Sequence, residues 1–456
     1  MAYSPHLDDD IKSMLNVIGV EKVADLFDEI PESIRCAGIP VIDNGKNEYS
    51  VKREFKAIAK KDTPQLNFIG AGAYQHFIPS AVWALAVRGE FSTAYTPYQP
   101  EASQGSLQII YEYQTMITSL TGMDVSNASM YEGASAFAES VLMAIRSNKK
   151  AKSNKVLIAG CINPNYLKVL SAIAGNQGVS YDQIDFKNTN ASITEQLSKH
   201  ANEKYAAVVI MQPNFLGQIE DVDVITDWAH EHAALMIAIV NPISLALLTP
   251  PGEWGKEGAD IACGEGQPMG IPLAGGGPYY GFMACKTALM RQIPGRIVGK
   301  TTDANGRDCF CLTLQAREQH IRRSKATSNI CTNQGLMVTA STIYMSLLGH
   351  DGLKAVAQCC HENTNSLAIE LAKLEDVSIE FDNNYFHEIV VNLPCKASHV
   401  INKLASHQIQ LGYDLSVFGE DWAHKVLVCS TEVHTKDDHN ALVQAVNSVI
   451  KECVTC

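Results

Sequence analysis

The 456-residue sequence predicts an α/β protein: a large domain with a mainly parallel sheet, then a smaller C-terminal α+β domain. Three observations support this. Short apolar runs alternate with helical segments from 155 to 265, a long helical pattern begins near 330, and β-rich runs return after 376. Alternation of this kind is typical of a parallel sheet with helices on both faces.

The chain begins with a predicted helical arm, residues 1–63. In "DDDIKSMLNVIGVEKVADLFDEI" the apolar residues recur at helical spacing, acidic residues stand at the start, and Gly19 interrupts the pattern. Glycine-rich loops and helices follow, among them "SLQIIYEYQTMITSLTG" (106–122). We assign residues 64–330 to the large domain and residues 331–456 to the small domain.

The strands of the large domain are predicted from five short apolar or β-rich runs. These are "KVLIAG" (155–160), "VSYDQIDF" (179–186), "YAAVVIMQP" (205–213), "ALMIAIVNP" (234–242) and "ADIACGE" (259–265). Helical segments such as "SITEQLSKHAN" and "VITDWAHEHA" lie between several of them. After 330, "NQGLMVTASTIYMSLLG" predicts a long helix, and "YFHEIVVNL" predicts a strand of the small domain.

The charge balance narrows the classes of partner. Thirty-six basic against 49 acidic residues give a net charge of −13, which disfavours nucleic acid and anionic membranes as partners. No apolar run approaches the roughly 18–20 residues of a spanning helix. The acidic start "MAYSPHLDDDI" is unlike a targeting presequence, so a cytoplasmic location is expected.

The 13 cysteines are odd in number and scattered, which is typical of reduced thiols. The pairs in "CFC" (309–311), "CC" (359–360) and "CVTC" (453–456) leave a zinc site as an alternative. A zinc site built from pairs needs two of them at matching distances, so we predict structural thiols and no metal.

The glycine-rich run "GEGQPMGIPLAGGG" (264–277) follows an apolar strand and contains no lysine, histidine or serine. It does not match a Walker A loop or a dinucleotide-binding fingerprint. Taken alone, it fits a structural loop as well as a cofactor loop.

Long blocks of the sequence resemble one family. "AYTPYQPEASQGSLQIIYEYQTMITSLTGMDVSNASMYEGASA" (94–136), "PPGEWGKEGADIACGEGQPMGIPLAGGGPYYGF" (250–282) and "REQHIRRSKATSNICTNQ" (317–334) are similar to the amino-terminal half of glycine decarboxylase, the P-protein of the glycine cleavage system. The resemblance implies the pyridoxal-phosphate (PLP) fold-type I. It also indicates subunit 1 of the form that is split between two chains.

The resemblance implies that this chain has lost the covalent site. In the second half or subunit of the family, a histidine–lysine pair follows the last strand, and an aspartate supports the pyridine nitrogen. Here Gln267 and Pro268 stand at the pair, and Asn241 stands at the aspartate. Proline has no amine, and an amide cannot stabilise a pyridinium as a carboxylate does. PLP is therefore expected to be held covalently by subunit 2.

Two further segments are implied to serve the partner's site. In "KATSNICT", Thr327, Ser328 and Asn329 are expected to reach the phosphate of the partner's PLP; the alternative is a helix N-cap. In "AYTPYQPEASQG", five polar residues are expected to border the glycine pocket, the alternative being an interface plug. They are Tyr95, Tyr98, Gln99, Glu101 and Gln104.

The roles of two charged segments stay open. The basic run "REQHIRRSK" (317–325), with Arg291 and Arg296, suits a phosphate, a substrate carboxylate or an acidic carrier protein, and equally a salt-bridged surface. In "YEGASA" (131–136), where the family's fold places its phosphate loop, Glu132 would repel a phosphate.

The predicted function is that of subunit 1 of the PLP-dependent glycine dehydrogenase (aminomethyl-transferring) of glycine catabolism. With subunit 2, in an α2β2 heterotetramer, it would decarboxylate glycine. The aminomethyl group would pass to the lipoyl arm of H-protein, beside the T- and L-proteins of the system. Two alternatives remain open: a non-catalytic sensor of glycine or PLP, and a stand-alone enzyme that uses the CVTC tail.

Overall fold

The computed structural model describes residues 5–36, 45–62, 66–187, 192–381 and 384–455. The chain divides into two compact units, residues 1–63 and 64–456. The boundary near 330, between a large and a small domain, stays a prediction. Across the described ranges, no helix is both long and apolar enough to cross a membrane.

The first unit contains two helices, α1 (Asp8–Ile18) and α2 (Glu48–Ala59). Helix α1 ends at Gly19, whose φ of +88° is the left-handed conformation that glycine adopts readily. Among the described residues of this unit, only Leu15 is a buried hydrophobic residue. The apolar sides of both helices are therefore largely exposed within the unit.

The large part of the second unit is built on a seven-stranded sheet in the order β2-β8-β7-β6-β5-β3-β4. The strands are β2 (Val125–Ser126), β3 (Lys155–Ile158), β4 (Ser180–Gln183), β5 (Ala207–Gln212), β6 (Leu235–Val240), β7 (Ile261–Glu265) and β8 (Gly281–Cys285). Strands β3 to β7 run parallel, and β8 is antiparallel to both β7 and β2. This confirms the predicted mainly parallel sheet.

Helices cover both faces of this sheet. They are α3 (Ser80–Ala86), α4 (Gln104–Thr121), α5 (Gly133–Ser147), α6 (Pro164–Ala174), α7 (Ile193–Ser198) and α8 (Val222–Glu231). Along β5 the side chains alternate: Val208 and Ile210 pack in one apolar cluster, whereas Ala207 and Val209 pack in another. The alternation follows from the two-residue period of a strand. The core therefore lies in two layers, one on each face.

A long helix, α10 (Gly335–Leu371), joins this core to the rest of the unit. Its Met337 and Tyr344 belong to the core of the large sheet, and its Leu367 and Leu371 belong to a separate apolar cluster. The helix is kinked at Gly349, where φ is +60°. This element matches the long helix predicted from the sequence.

The C-terminal part has a four-stranded antiparallel sheet in the order β11-β12-β15-β14. Its elements are β11 (Ser378–Ile379), β12 (Glu388–Asn392), α11 (Ala397–Ser406), β13 (Ile409–Gln410), β14 (Tyr413–Asp414), β15 (Lys425–Cys429) and α12 (Lys436–Thr455). Strand β13 pairs instead with β1 (Leu66–Asn67). The first strand of the unit therefore pairs with a strand of the C-terminal part, in a separate two-stranded sheet.

Along the chain, an antiparallel hairpin follows the last strand of the large sheet. It consists of β9 (Ile297–Thr302) and β10 (Asp308–Thr313). It is followed by the short helix α9 (Gln319–Arg322) and by a loop that leads into α10. This segment carries most of the basic run singled out in the sequence, and it lies at the surface beside α5 and the loop before α4.

Candidate functional site

The glycine-rich loop after β7 is fastened by the buried side chain of Gln267. Its Oε1 accepts a hydrogen bond from the main-chain N–H of Tyr74 at 2.8 Å. Its Nε2 donates to the main-chain oxygens of Tyr74 and Ile271, each at 2.8 Å. Pro268 follows and carries no amine. The two residues tie distant segments together and offer nothing to which a cofactor could be bonded.

The residue after β6 is Asn241, which the sequence predicts to stand at the position of the family's aspartate. Its Oδ1 accepts the N–H of Ile243 at 2.9 Å, and its Nδ2 lies 3.2 Å from Nε2 of His387. Burial lowers the pKa of His387 well below its ordinary value, and the nearby His76 ring adds to the effect. The amide therefore donates to a neutral imidazole at a strand end where a pyridinium would need a carboxylate.

The first turn of α5, the predicted phosphate position, is already capped by two carboxyl groups. Glu132 accepts hydrogen bonds from both the N–H and the hydroxyl of Ser135. Glu265, at the end of β7, accepts the N–H groups of Gly133 and Gln267, each at 3.0 Å. Burial, with a smaller contribution from the charge of Glu132, raises the pKa of Glu265 to about 7.

These contacts decide whether the pocket can hold PLP. A helix N-terminus binds phosphate through its free N–H groups, and here the N–H groups of Gly133 and Ser135 already donate to side chains of the same chain. The turn is also tightly packed, because a Cβ on Gly133 would lie 2.1 Å from the hydroxyl oxygen of Tyr166. With no lysine, no aspartate and no accessible phosphate turn, the residues of this pocket do not fit PLP.

A second buried acid closes the pocket from the side of the small sheet. Glu388, at the start of β12, accepts the hydroxyl of Tyr74 at 2.9 Å and the N–H of Ala71 at 2.7 Å. Burial raises the pKa of Glu388 to about 7. Because Tyr74 also bonds to Gln267, one continuous network joins the large sheet to the small one. We call the residues of this network, with Asn241, His387, Glu132 and Glu265, the filled pocket.

The loop before α4 presents aromatic side chains to solvent. Tyr95 is 88% exposed, and its hydroxyl lies 3.1 Å from Oγ1 of Thr332. The hydroxyl of Tyr98 accepts from Nη2 of Arg296 at 3.4 Å, with the guanidinium 5.7 Å from the ring centroid. Both rings thus border the loop that leads into α10.

The other predicted members of this loop divide into two kinds. Gln99 and Glu101 are exposed. Gln104 is engaged within the chain: its Oε1 accepts the N–H of Phe310, and its Nε2 donates to the oxygens of Phe310 and Pro100, each at 2.8 Å. Gln104 therefore anchors the loop to β10, while its neighbours project outward.

Thr327, Ser328 and Asn329 line a cavity of about 520 Å³ between their loop and the outer side of α5. The Ser328 hydroxyl accepts the N–H of Ile330 at 3.0 Å. Helix α10 begins only at Gly335, and its N-cap is Gln334. The alternative that these three residues cap that helix is therefore wrong, because the loop continues for five more residues before the helix begins.

The cavity has two charged side chains on α5 that the sequence reasoning did not select. Glu139 is buried, and burial raises its pKa. Arg146 lies two turns further along the helix, and burial lowers its pKa. Oε2 of Glu139 and both Nε and Nη2 of Arg146 are buried without a hydrogen-bond partner in the part of the chain that is described. Two opposite charges seven residues apart in an otherwise uncharged helix were the available signal.

Similar unpaired atoms recur along the same surface. Buried polar atoms that lack a partner among the described residues include Arg296 Nε, Arg317 Nε, Glu318 Oε1 and Asn333 Nδ2. A second cavity, of about 340 Å³, is lined by four cationic side chains, those of Arg291, Arg317, Arg322 and Lys325. We call the surface formed by residues 94–105, residues 291–334 and the outer side of α5 the polar face.

A sequence profile of the glycine cleavage system P-protein matches residues 1–446. The "Probable glycine dehydrogenase (decarboxylating) subunit 1" of Francisella tularensis subsp. tularensis is 57% identical over 452 residues, with 99% of each chain covered. The chain belongs to the glycine cleavage system P-protein family. The predicted family and the predicted enzyme, in its two-subunit form, are confirmed.

Solved structures agree with this assignment. The crystal structure of "glycine decarboxylase (P-protein) of the glycine cleavage system, in inhibitor-bound form" is 39% identical with a TM-score of 0.88, covering 98% of this chain and 100% of that one. Glutamate decarboxylase of Lactobacillus brevis, at 12% identity and a TM-score of 0.67, covers 95% of this chain and 97% of that one and shares the fold. The predicted fold-type I class is confirmed.

The roles predicted for individual residues of this P-protein stay predictions. The structure brings Tyr95, Tyr98 and the Thr327–Asn329 loop to one surface, and it places Gln267 and Asn241 in the filled pocket. Lys286, which follows β8, donates to Asp260 at 2.8 Å and to the Gly258 oxygen. That amine is held in an internal ion pair.

Proposed function

We propose that this P-protein chain is the subunit that completes an active site whose covalent chemistry belongs to subunit 2. The filled pocket is the observation that supports this most strongly. Gln267, Glu132 and Glu265 make internal hydrogen bonds where a fold-type I enzyme would hold its cofactor. A chain that cannot hold PLP itself contributes to PLP chemistry only by acting on a cofactor bound elsewhere.

PLP on the lysine of subunit 2 would supply the electron-accepting ring that lets carbon dioxide leave glycine. The contribution of this chain is positioning. Thr327, Ser328 and Asn329 carry two hydroxyls and an amide able to donate to a phosphate dianion. Their place on a polar cavity beside partly unsatisfied charges supports this role.

The aromatic loop would form the wall of the glycine pocket. Tyr95, Tyr98, Gln99 and Glu101 project from it, and Gln104 holds the loop against β10. Glycine has no side chain to grip, so a site for it gains selectivity by excluding bulk. A loop stiffened by two prolines and two exposed rings suits that task.

The polar face would be covered by subunit 2 within an α2β2 heterotetramer. Its buried unpaired atoms at Arg296, Glu318 and Asn333 are costly in a free chain, since each lacks the hydrogen bond that would offset its desolvation. The cationic cavity around Arg322 and Lys325 favours an acidic partner at the margin of this surface. We assign that place to H-protein, whose lipoyl arm would accept the aminomethyl group, with the T- and L-proteins acting downstream in the cytoplasm.

A glycine- or PLP-sensing role is less well supported. A sensor needs a cavity for its ligand, and the pocket of this chain is occupied by its own side chains. The relatives also carry the name of an enzyme subunit.

Reconstitution tests the proposal. This chain, subunit 2 and their mixture are each assayed for exchange of labelled bicarbonate into glycine with lipoylated H-protein. We expect exchange only in the mixture. Exchange by this chain alone would contradict the proposal, and so would full exchange by subunit 2 alone.

A further inference from the structure

Three side chains with metal-binding atoms meet in the interior, next to the filled pocket. Nδ1 of His76 lies 2.8 Å from Oε2 of Glu432, and Sγ of Cys360 lies 3.1 Å from the same oxygen. The ligand atoms of all three residues lie within 4.8 Å of one another. We call these residues the His–Cys–Glu cluster.

The cluster joins three distant parts of the chain. His76 lies in the segment between β1 and α3, Cys360 lies on α10, and Glu432 lies between β15 and α12. The side chains of His76 and Glu432 are 2% and 11% exposed, and Cys360 is fully buried. The other oxygen of Glu432 accepts the N–H of Phe77 at 2.7 Å, which fixes the carboxylate. The three donors are thus held in place by the fold.

One nitrogen of the cluster has no hydrogen-bond partner within the described ranges: Nε2 of His76, in a side chain that is 2% exposed. The other ring nitrogen, Nδ1, faces the Glu432 carboxylate. A carboxylate only accepts, so Nδ1 carries the proton of that hydrogen bond in the metal-free chain. Nε2 can take up this proton when Nδ1 binds a metal ion, because the neutral imidazole has one protonated and one unprotonated nitrogen.

The chemistry of the three donors selects the ion. Imidazole, thiolate and carboxylate together match zinc, which binds nitrogen and oxygen at about 2.0–2.2 Å and sulfur at about 2.3 Å. One Zn²⁺ with one thiolate and one carboxylate is electrically neutral, so the site would carry no net charge in the interior. A hard cation such as Mg²⁺ would be disfavoured by the sulfur ligand.

We propose that the His–Cys–Glu cluster is a binding site for a divalent zinc ion. On binding, the Cys360 thiol loses its proton to solvent and its sulfur bonds to zinc. The proton on Nδ1 of His76 moves by way of water to Nε2, so Nδ1 and Oε2 of Glu432 exchange their mutual hydrogen bond for bonds to the ion. One proton is released in total and no electrons are transferred. A water completes four-coordination.

The consequence would be structural. Zinc would link the segment that carries Tyr74 to α10 and to the small sheet, beside the network of the filled pocket. The ring centroids of His76 and Tyr74 are 6.5 Å apart. From the sequence, the pair at 359–360 indicates structural thiols only, because the partners of Cys360 lie 284 positions before and 72 positions after it.

Metal analysis of the isolated full chain tests this directly. The chain is stripped with chelator, dialysed against Zn²⁺ and assayed for zinc by mass spectrometry. We expect close to one zinc per chain in the wild type and at least tenfold weaker retention in Cys360→Ser. Cys161→Ser, which alters another buried thiol, is the control and should retain zinc. Equal retention in Cys360→Ser and the wild type, or none in the wild type, would overturn the proposal.

Co²⁺ gives a second readout that does not depend on zinc retention. We expect a thiolate-to-cobalt charge-transfer band in the wild type and in Cys161→Ser, and none in Cys360→Ser. If Cys360→Ser fails to fold, Glu432→Gln keeps the shape of the side chain and should weaken zinc retention while retaining the band. A band that persists without Cys360 would place the ion elsewhere. Both measurements use the chain alone, so they stand apart from the reconstitution of exchange activity.

Discussion

The filled pocket and the polar face belong to the same compact unit, yet they satisfy their polar groups in opposite ways. In the filled pocket, Gln267 uses three hydrogen bonds, and Glu265 and Glu388 each accept two. On the polar face, Nε of both Arg296 and Arg317 and two nitrogens of Arg146 are buried without a hydrogen-bond partner among the described residues, although the other nitrogens of Arg296 and Arg317 donate within the chain. The named polar groups of the filled pocket are thus hydrogen-bonded within the chain, whereas several buried polar atoms of the polar face are not.

This contrast distinguishes a degenerate site from an incomplete one. A site that has lost its ligand is repacked by neighbouring side chains, since unpaired buried groups are costly. A site that is completed by another chain keeps its unpaired groups, because a partner supplies the missing hydrogen bonds. Removing polar groups should therefore damage folding at the filled pocket and assembly at the polar face.

The largest expected effect is a pH dependence that arises in the filled pocket. Burial raises the pKa values of Glu265 and Glu388 to about 7. Each folded pKa exceeds its unfolded value, so the folded state retains protons that the unfolded state releases. This contribution is complete below about pH 4.5 and is lost as pH rises through 7, by up to about 3 kcal/mol per group.

Urea unfolding of the isolated chain between pH 5 and 8 measures this dependence. The buried His387, whose pKa is lowered, contributes in the opposite direction, so the measurement compares the wild type with Glu388→Gln. We expect the free energy of unfolding of the wild type to fall relative to that of Glu388→Gln as pH rises, by up to about 3 kcal/mol. A difference between the two that stays constant or rises across this range would contradict the assignment of Glu388 as a buried acid with a raised pKa.

The second-largest effect should be the loss of stability caused by Gln267→Leu. The substitution leaves an N–H and two carbonyl oxygens of the main chain unpaired in the interior, and we expect it to cost about 2–4 kcal/mol of stability. Gln108→Leu, at an exposed position on α4, is the matched control and should cost less than about 0.5 kcal/mol. Urea titrations measure both losses. Similar losses of stability for Gln267→Leu and Gln108→Leu would contradict the structural role given to Gln267.

A smaller effect is expected at the predicted phosphate contacts. Ser328→Ala should leave the stability of the isolated chain within about 0.5 kcal/mol. In the assembled enzyme it should weaken PLP binding roughly tenfold, or about 1.4 kcal/mol, through loss of one charge-assisted hydrogen bond. Equilibrium dialysis of PLP against the reconstituted enzyme measures this, with Ser198→Ala as the control on α7. Unchanged PLP affinity would exclude Ser328 as a contact.

The smallest effect on the isolated chain should come from Tyr95→Ala. The ring is 88% exposed and packs little against its own chain, so stability should change by less than about 0.5 kcal/mol. In the mixture with subunit 2, the Michaelis constant for glycine or the affinity between the chains should worsen severalfold. No change in either quantity would mean that the ring serves neither the pocket nor the interface.

Much of the fold could be predicted from the sequence because its signals are local. The five apolar runs became strands β3 to β7, and "NQGLMV" became the start of α10. The location of Gln267 just after β7, and of Asn241 just after β6, could likewise be predicted, because each follows one of these apolar runs. Local patterns of this kind depend only on residues near one another in the chain.

The rest depends on contacts across long stretches of sequence. Nothing near Gln267 indicates that it binds the main chain of Tyr74, 193 residues earlier. The cap that Glu265 places on α5 spans 132 residues. The alternative of a helix N-cap at residues 327–329 was wrong because Ser and Asn are also frequent in loops, and local sequence cannot fix where the loop ends. Cys456 of the terminal pair lies outside the described residues.

The central claim is that this chain holds no PLP of its own. Borohydride reduction in the presence of PLP, followed by peptide mass spectrometry, tests it on this chain alone and on the chain assembled with subunit 2. We expect pyridoxyl-lysine at a single stoichiometric site, on a subunit 2 peptide in the assembled enzyme, and no stoichiometric site on this chain. Stoichiometric labelling of one lysine in the isolated chain would contradict it.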